Sequence, residues 1–100
     1  MKIQTYFPRE TFAKAKRAMV VMGFRRSGEP AETKELALDG AYEYPAPKMH
    51  VLQHPNGIKE EVEMVGQAVY EGPDKGRLYH AVAVARYGSN QVFWVGDGVL

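Results

Sequence analysis

Apolar residues recur at alternate positions through most of the C-terminal half, and this alternation predicts four strands, 48–54, 58–71, 77–87 and 91–96. A hairpin loop at Gly72 to Gly76 sets Met64 opposite Val84 and Ala68 opposite His80. A two-residue turn at Ser89-Asn90 then sets Val84 opposite Val95 and Arg86 opposite Phe93. Met64, Val82, Val84, Phe93 and Val95 thereby share one face, because side chains alternate along a strand. Asn56-Gly57, taken as a tight turn, extends this face to Met49 opposite Met64 and Val51 opposite Val62. The same turn sets His50 opposite Glu63 and His54 opposite Lys59. The reverse face carries Val65, Gln67, Val69, Tyr79, Ala81, Ala83, Ala85, Tyr87, Val92 and Trp94. It too is largely apolar, so either the rest of the chain or a partner covers it.

The N-terminal half has a different period. Lys2 to Phe7 alternates and predicts a strand. Pro8 suits the start of a helix, and Phe12, Ala15, Ala18, Met19 and Met22 fall on one side of a helical projection, with Gly23 as a left-handed cap. The spacing predicts a helix over 8–22, packed on the Met64, Val82, Val84 and Phe93 face. Arg25 to Pro30 reads as loop. Residues 31–47 read as extended with a loose turn at Asp39-Gly40; a short helix over 30–38 is the alternative. Tyr44-Pro45-Ala46-Pro47 is excluded from a central strand, since neither proline donates to a ladder. The predicted fold is α+β: one domain over 1–100, a four- to five-stranded antiparallel β-meander with one N-terminal amphipathic helix packed on one face.

Composition narrows the function classes. A chain of 100 residues can bury a core without metals or disulfides, and it contains no cysteine for either. The formal net charge of +1 offers no general attraction to nucleic acid. No signal peptide and no apolar run of about 20 residues is visible, so the expectation is a cytoplasmic protein with no membrane contact.

Candidate chemistry is sparse. His50, His54 and His80 do not converge on the predicted strands as zinc ligands must, and the bland reading is that His50 pairs with Glu63 while His80 fills space beside Ala68. Ser27 and Ser89 lie in turn contexts, and Glu60, Glu61, Glu63 and Glu71 read as solvated edge charges rather than acid–base pairs. No catalytic residue, metal or cofactor is assigned, and the chain reads as non-enzymatic.

Two surfaces remain as partner-binding candidates. Lys14, Lys16, Arg17, Arg25 and Arg26 form a basic cluster around the end of the predicted helix. Dipole complementation explains much of it; contact with phosphates or an acidic surface is the functional reading. Tyr79, Tyr87 and Trp94 share the face turned away from the predicted helix, on an alanine floor, and such residues are enriched in binding hot spots. The bland reading is that residues 31–47 cover them. The preferred function is a small binding protein with a protein partner, of the kind seen in inhibitors carried by phages and mobile elements, anti-CRISPR proteins among them. That analogy rests on size and the want of a catalytic constellation; no residue motif carries it. The second reading is a nucleic-acid-binding module using Arg17, Arg25, Arg26 and the aromatic face. A homodimer through the aromatic face is a further arrangement of the first.

Overall fold

The computed structural model describes residues 6–72 and 76–100. The predicted strand positions 2–5 and most of the first hairpin loop, 73–75, lie outside the described residues. The described residues form seven strands: β1 (Tyr6–Pro8), β2 (Arg17–Val21), β3 (Thr33–Ala37), β4 (Asp39–Gln53), β5 (Lys59–Glu71), β6 (Leu78–Arg86) and β7 (Gln91–Val99). All belong to one sheet of order β3-β2-β7-β6-β5-β4, with β1 also on β7.

The α+β prediction is overturned. The described residues contain no α-helix, only one 3₁₀ turn at Phe12–Lys14. The expected helix over 8–22 is instead the end of β1, this turn and β2. Two apolar periods compete in that stretch. The helical one joins Phe12, Ala15, Ala18, Met19 and Met22. The strand one joins Ala18, Val20 and Met22 on one side and leaves Val21 on the other. The strand wins because β7 beyond Phe93, where its pairing with β1 ends, would otherwise present an unpaired edge, and β2 satisfies it with Val20 beside Trp94 and Val21 beside Val95. Val20 and Val21 are β-branched and wholly buried. The β2–β7 pairing is parallel, so the sheet is mixed rather than a pure antiparallel meander.

The extended reading of 31–47 matches β3 and the start of β4, but Asp39-Gly40 closes no hairpin. A single residue, Leu38, separates β3 from β4. These strands lie at opposite ends of the sheet order, so the sheet must roll until its ends meet at Leu38. Leu38 points inward, 5% exposed, and its N–H donates to the Lys16 carbonyl at 2.8 Å.

Rolling creates an inside and an outside. The interior cluster comprises Phe12, Ala18, Val20, Leu38, Val65, Ala68, Tyr70, Ala81, Ala83, Ala85, Val92 and Trp94. A second cluster of Val21, Leu52, Val62, Val82, Val84, Phe93 and Val95 lies on the other face, with Phe24 and Met64 against it. The alanine stripe is thus the inner wall, narrow enough for a tightly curved sheet to close around Trp94. Phe12 is the plug: its ring meets Trp94 edge-on at 5.9 Å between centroids.

The register departs from expectation at three places. Between Met64 and Gly66 a β-bulge inserts Val65, so Ala68 and Tyr70 swap to the interior while Val62 and Met64 keep the outer face. Gly66 sits under Phe12; a Cβ there would lie 2.6 Å from the Phe12 ring and 2.4 Å from the Tyr42 carbonyl oxygen. The β6–β7 loop is longer than two residues, with the Ser89 N–H donating to the Arg86 carbonyl, and Ala83 rather than Ala85 faces Trp94. That two-residue slip leaves every side chain on its expected face. The β4–β5 turn is the reverse case. It is a three-residue loop, Pro55 to Gly57, closed by bonds between His54 and Ile58 and between Gly57 and His54, with Gly57 at φ 90°. His50 consequently faces Val62, and Met49 faces Glu63. One residue of slip takes Met49 and Val51 off the face of the second cluster and leaves them exposed to solvent.

Gly66→Ala should destabilise the fold by about 1–3 kcal/mol or more, because the rigid Tyr42 backbone and the buried Phe12 ring leave no room for a methyl group. Leu38→Ala should cost about 2–5 kcal/mol through the cavity it leaves at the joint. Urea unfolding of the two variants beside the parent measures both, and midpoints equal to the parent's would contradict this packing.

Candidate binding surfaces

The three aromatic residues assigned to a partner do not form one surface. Trp94 is 0% exposed and belongs to the interior. Tyr79 is half-buried and stacks on Tyr70, with centroids 5.6 Å apart and planes 17° from parallel. Tyr87 is 64% exposed and lies beyond the end of β6. The face that would have served a homodimer or a base-stacking platform is turned inside. Phe12 and Leu38 supply the cover, and no helix is needed.

The basic residues are also dispersed. Arg17 begins β2, whereas Arg25 and Arg26 follow its end, and β2 alone spans roughly 13 Å at the usual rise per residue. The Arg17 guanidinium pairs with Glu35 across the β2–β3 ladder at 3.3 Å. Arg25 and Arg26 are exposed in a turn whose Arg25 carbonyl accepts from the Gly28 N–H at 2.8 Å. The helix terminus that was to gather them does not exist.

His80 and His54 serve separate local networks. His80 bonds through Nε2 to Gln67 Oε1 at 2.7 Å and lies 3.4 Å from Asp97 through Nδ1. His54 is 6% exposed, meets Phe24 edge-on, and lies 3.2 Å through Nε2 from Glu60 Oε1. Glu60 also accepts from Arg86 Nε at 2.6 Å, and Arg86 donates onward to the Tyr6 hydroxyl at 3.2 Å. Burial alone would raise the Glu60 carboxyl; bonds from Arg86 and His54, with their charges, outweigh it and hold the group below its ordinary value. Among the described residues, no three His, Asp or Glu side chains are grouped to hold a metal ion.

A surface not anticipated from the sequence lies on the β4–β5 arm. Among the described residues β4 pairs only with β5, so its other edge is open. Its first half is blunted by Pro45, Pro47 and two register irregularities. Its second half, Lys48 to Gln53, is regular and unprotected. Met49 (54% exposed) and Val51 (49%) project from it, and Ile58 is exposed at the tip. The Tyr87 hydroxyl donates to Met49 Sδ at 3.1 Å, joining the end of β6 to this strip. The opposite edge strand, β3, presents exposed Lys34 and Glu35 instead. The turn chemistry could have revealed the strip: an Asn56-Gly57 type I′ turn needs a positive φ at Asn56, whereas Pro55 favours a type I turn with Gly57 as the left-handed residue.

No helix among the described residues is long and apolar enough to cross a membrane. No protein-family model, curated protein or solved structure matches the chain.

Trp94→Ala should cost about 3–5 kcal/mol of stability, as loss of a buried tryptophan does; an unchanged thermal melt would contradict its interior position. Glu60 supplies a pH test. Its folded-state value is depressed, so its contribution is present above the ordinary value of 4.5 and is lost as pH falls through the folded value. Glu60→Gln should therefore flatten the decline in stability below that pH. Parallel acid-unfolding curves for variant and parent would contradict the network.

Proposed function

We propose that the chain is a small non-enzymatic protein that acts by docking an extended segment of another protein onto the open edge of β4. The observation that carries this reading is the exposed strip of Met49, Val51 and Tyr87 beside an unprotected, regular edge strand. Strand addition uses main-chain hydrogen bonds for affinity and alternate side chains for selectivity. Met49 and Val51 are two such alternate positions, and both would lose water-exposed apolar area on docking. An inhibitor of the phage or mobile-element kind would work in this way, by occupying a strand-pairing segment of its target. The surroundings are those of a cytoplasmic protein, where a cysteine-free chain is at home. The nucleic-acid reading keeps Arg25 and Arg26 as exposed charges but has no aromatic platform beside them.

The test is capture from the source cells with the immobilised chain in three forms: parent, Val51→Lys, and Arg25→Glu with Arg26→Glu. The expected result is a captured protein that is lost with Val51→Lys and retained by the double reversal. Capture that survives Val51→Lys, or that is abolished by nuclease and by the double reversal, overturns this reading. Val51→Lys should leave the melting temperature within a few degrees of the parent, since position 51 is already exposed.

A further inference from the structure

The interior of the rolled sheet is plugged by Phe12 and Trp94 but open farther along. Beyond Trp94 the inner wall continues to a cavity of about 610 Å³, whose lining includes Met22, Leu36, Tyr70, Tyr79, Gly96 and Lys34. Register places these residues on the inner face. Leu36 faces Ala18, Lys34 faces Val20 and Gly96 faces Ala81, and Ala18, Val20 and Ala81 all belong to the interior cluster. The space is therefore the mouth of the roll, and the mouths of closed sheets are preferred sites for small ligands.

Two backbone features keep it open. Between Gly96 and Val99, β7 carries one more residue than β6 opposite, and Gly98 absorbs the irregularity at φ 86°. Gly96 leaves the wall bare: a Cβ there would sit 3.4 Å from both Met22 Sδ and the Tyr70 hydroxyl, while a longer side chain would enter the space between them.

The lining also indicates what the mouth takes. Met22 offers a thioether, and Tyr70 and Tyr79 offer a stacked aromatic wall; both favour a flat ring. Tyr70 is 4% exposed, and its hydroxyl lies beside Gly96, 3.4 Å from where a Cβ would stand. Burial first, and then the neighbouring Tyr79, raise that hydroxyl above its ordinary value, so it remains a donor. At the rim stand Lys34, whose other contact is Glu32 at 3.7 Å, and the exposed Glu71.

We propose that this mouth is a binding site for a small planar aromatic molecule bearing an anionic group. The ring lies between Met22 and the Tyr70–Tyr79 pair, and the anion is turned towards Lys34 and away from Glu71. The site is separate from the β4 edge and does not depend on docking there.

The probe is 8-anilinonaphthalene-1-sulfonate, followed by fluorescence titration and by amide shifts in a proton–nitrogen correlation spectrum. The expected result is saturable one-to-one binding, with the largest shifts at Gly96, Gly98 and Leu36. Gly96→Leu should weaken binding at least tenfold, and Lys34→Glu severalfold. Shifts centred on Met49, Val51 and Tyr87, or affinity unchanged in a Gly96→Leu variant with a native spectrum, overturn the site. Affinity unchanged in Lys34→Glu overturns the anionic assignment. Should Gly96→Leu lose its dispersed spectrum, Leu36→Trp decides by the same criterion, since it narrows the mouth from an edge strand.

Discussion

One covalent constraint governs the structure: the two end strands of the sheet are joined through Leu38 alone. Consecutive Cα atoms are 3.8 Å apart, so the ends of a six-strand-wide path must approach within a few residues' reach. A flat sheet cannot satisfy this; a rolled one can, and sheet twist favours the curvature. Leu38 then turns inward and becomes part of the core it closes.

Closure explains the unusual double-sided hydrophobicity of β6. Ala81, Ala83 and Ala85 form the small-volume inner wall, and Val82 and Val84 face the outer cluster. The bulge at Val65 aims two successive residues inward, and the absence of a side chain at Gly66 admits Phe12 against Trp94. Phe12 reaches this place because the segment between β1 and β2 crosses the inner face as a single 3₁₀ turn. The outer cluster is sealed differently. The β4–β5 arm lays Leu52 and His54 over it, with Phe24 against the His54 ring and Glu60 bridging His54 to Arg86.

Both candidate surfaces are by-products of this closure. The arm that seals the outer cluster with Leu52 must send Met49 and Val51 the other way, since alternate residues of a strand face opposite sides. The roll that buries Trp94 ends where β7 bulges at Gly98, and the unfilled end is the mouth. Neither surface contains the residues that sequence alone singled out, apart from Tyr87 at the arm and Tyr79 at the mouth.

The alternation from 48 to 96 determined the existence of β4 to β7 and the grouping of Val82, Val84, Phe93 and Val95, because a period of two survives any even slip of register. The prolines at 45 and 47 excluded their segment from the centre of the sheet, though not from the edge strand β4 that contains it. Local pattern could not decide β2: a helical stripe and a strand stripe overlap on Ala18 and Met22, and the unpaired edge of β7 chose between them. Nor could alternation alone decide the faces of Ala68, Tyr70, Met49 and Val51, although the turn chemistry at Pro55 pointed to the last two. Each depends on an odd slip, one made by a bulge under Phe12 and the other by a three-residue turn, and an odd slip exchanges inside for outside. The burial of Trp94 followed from closure through Leu38, a contact between the ends of a sheet that no nearest-neighbour pattern contains.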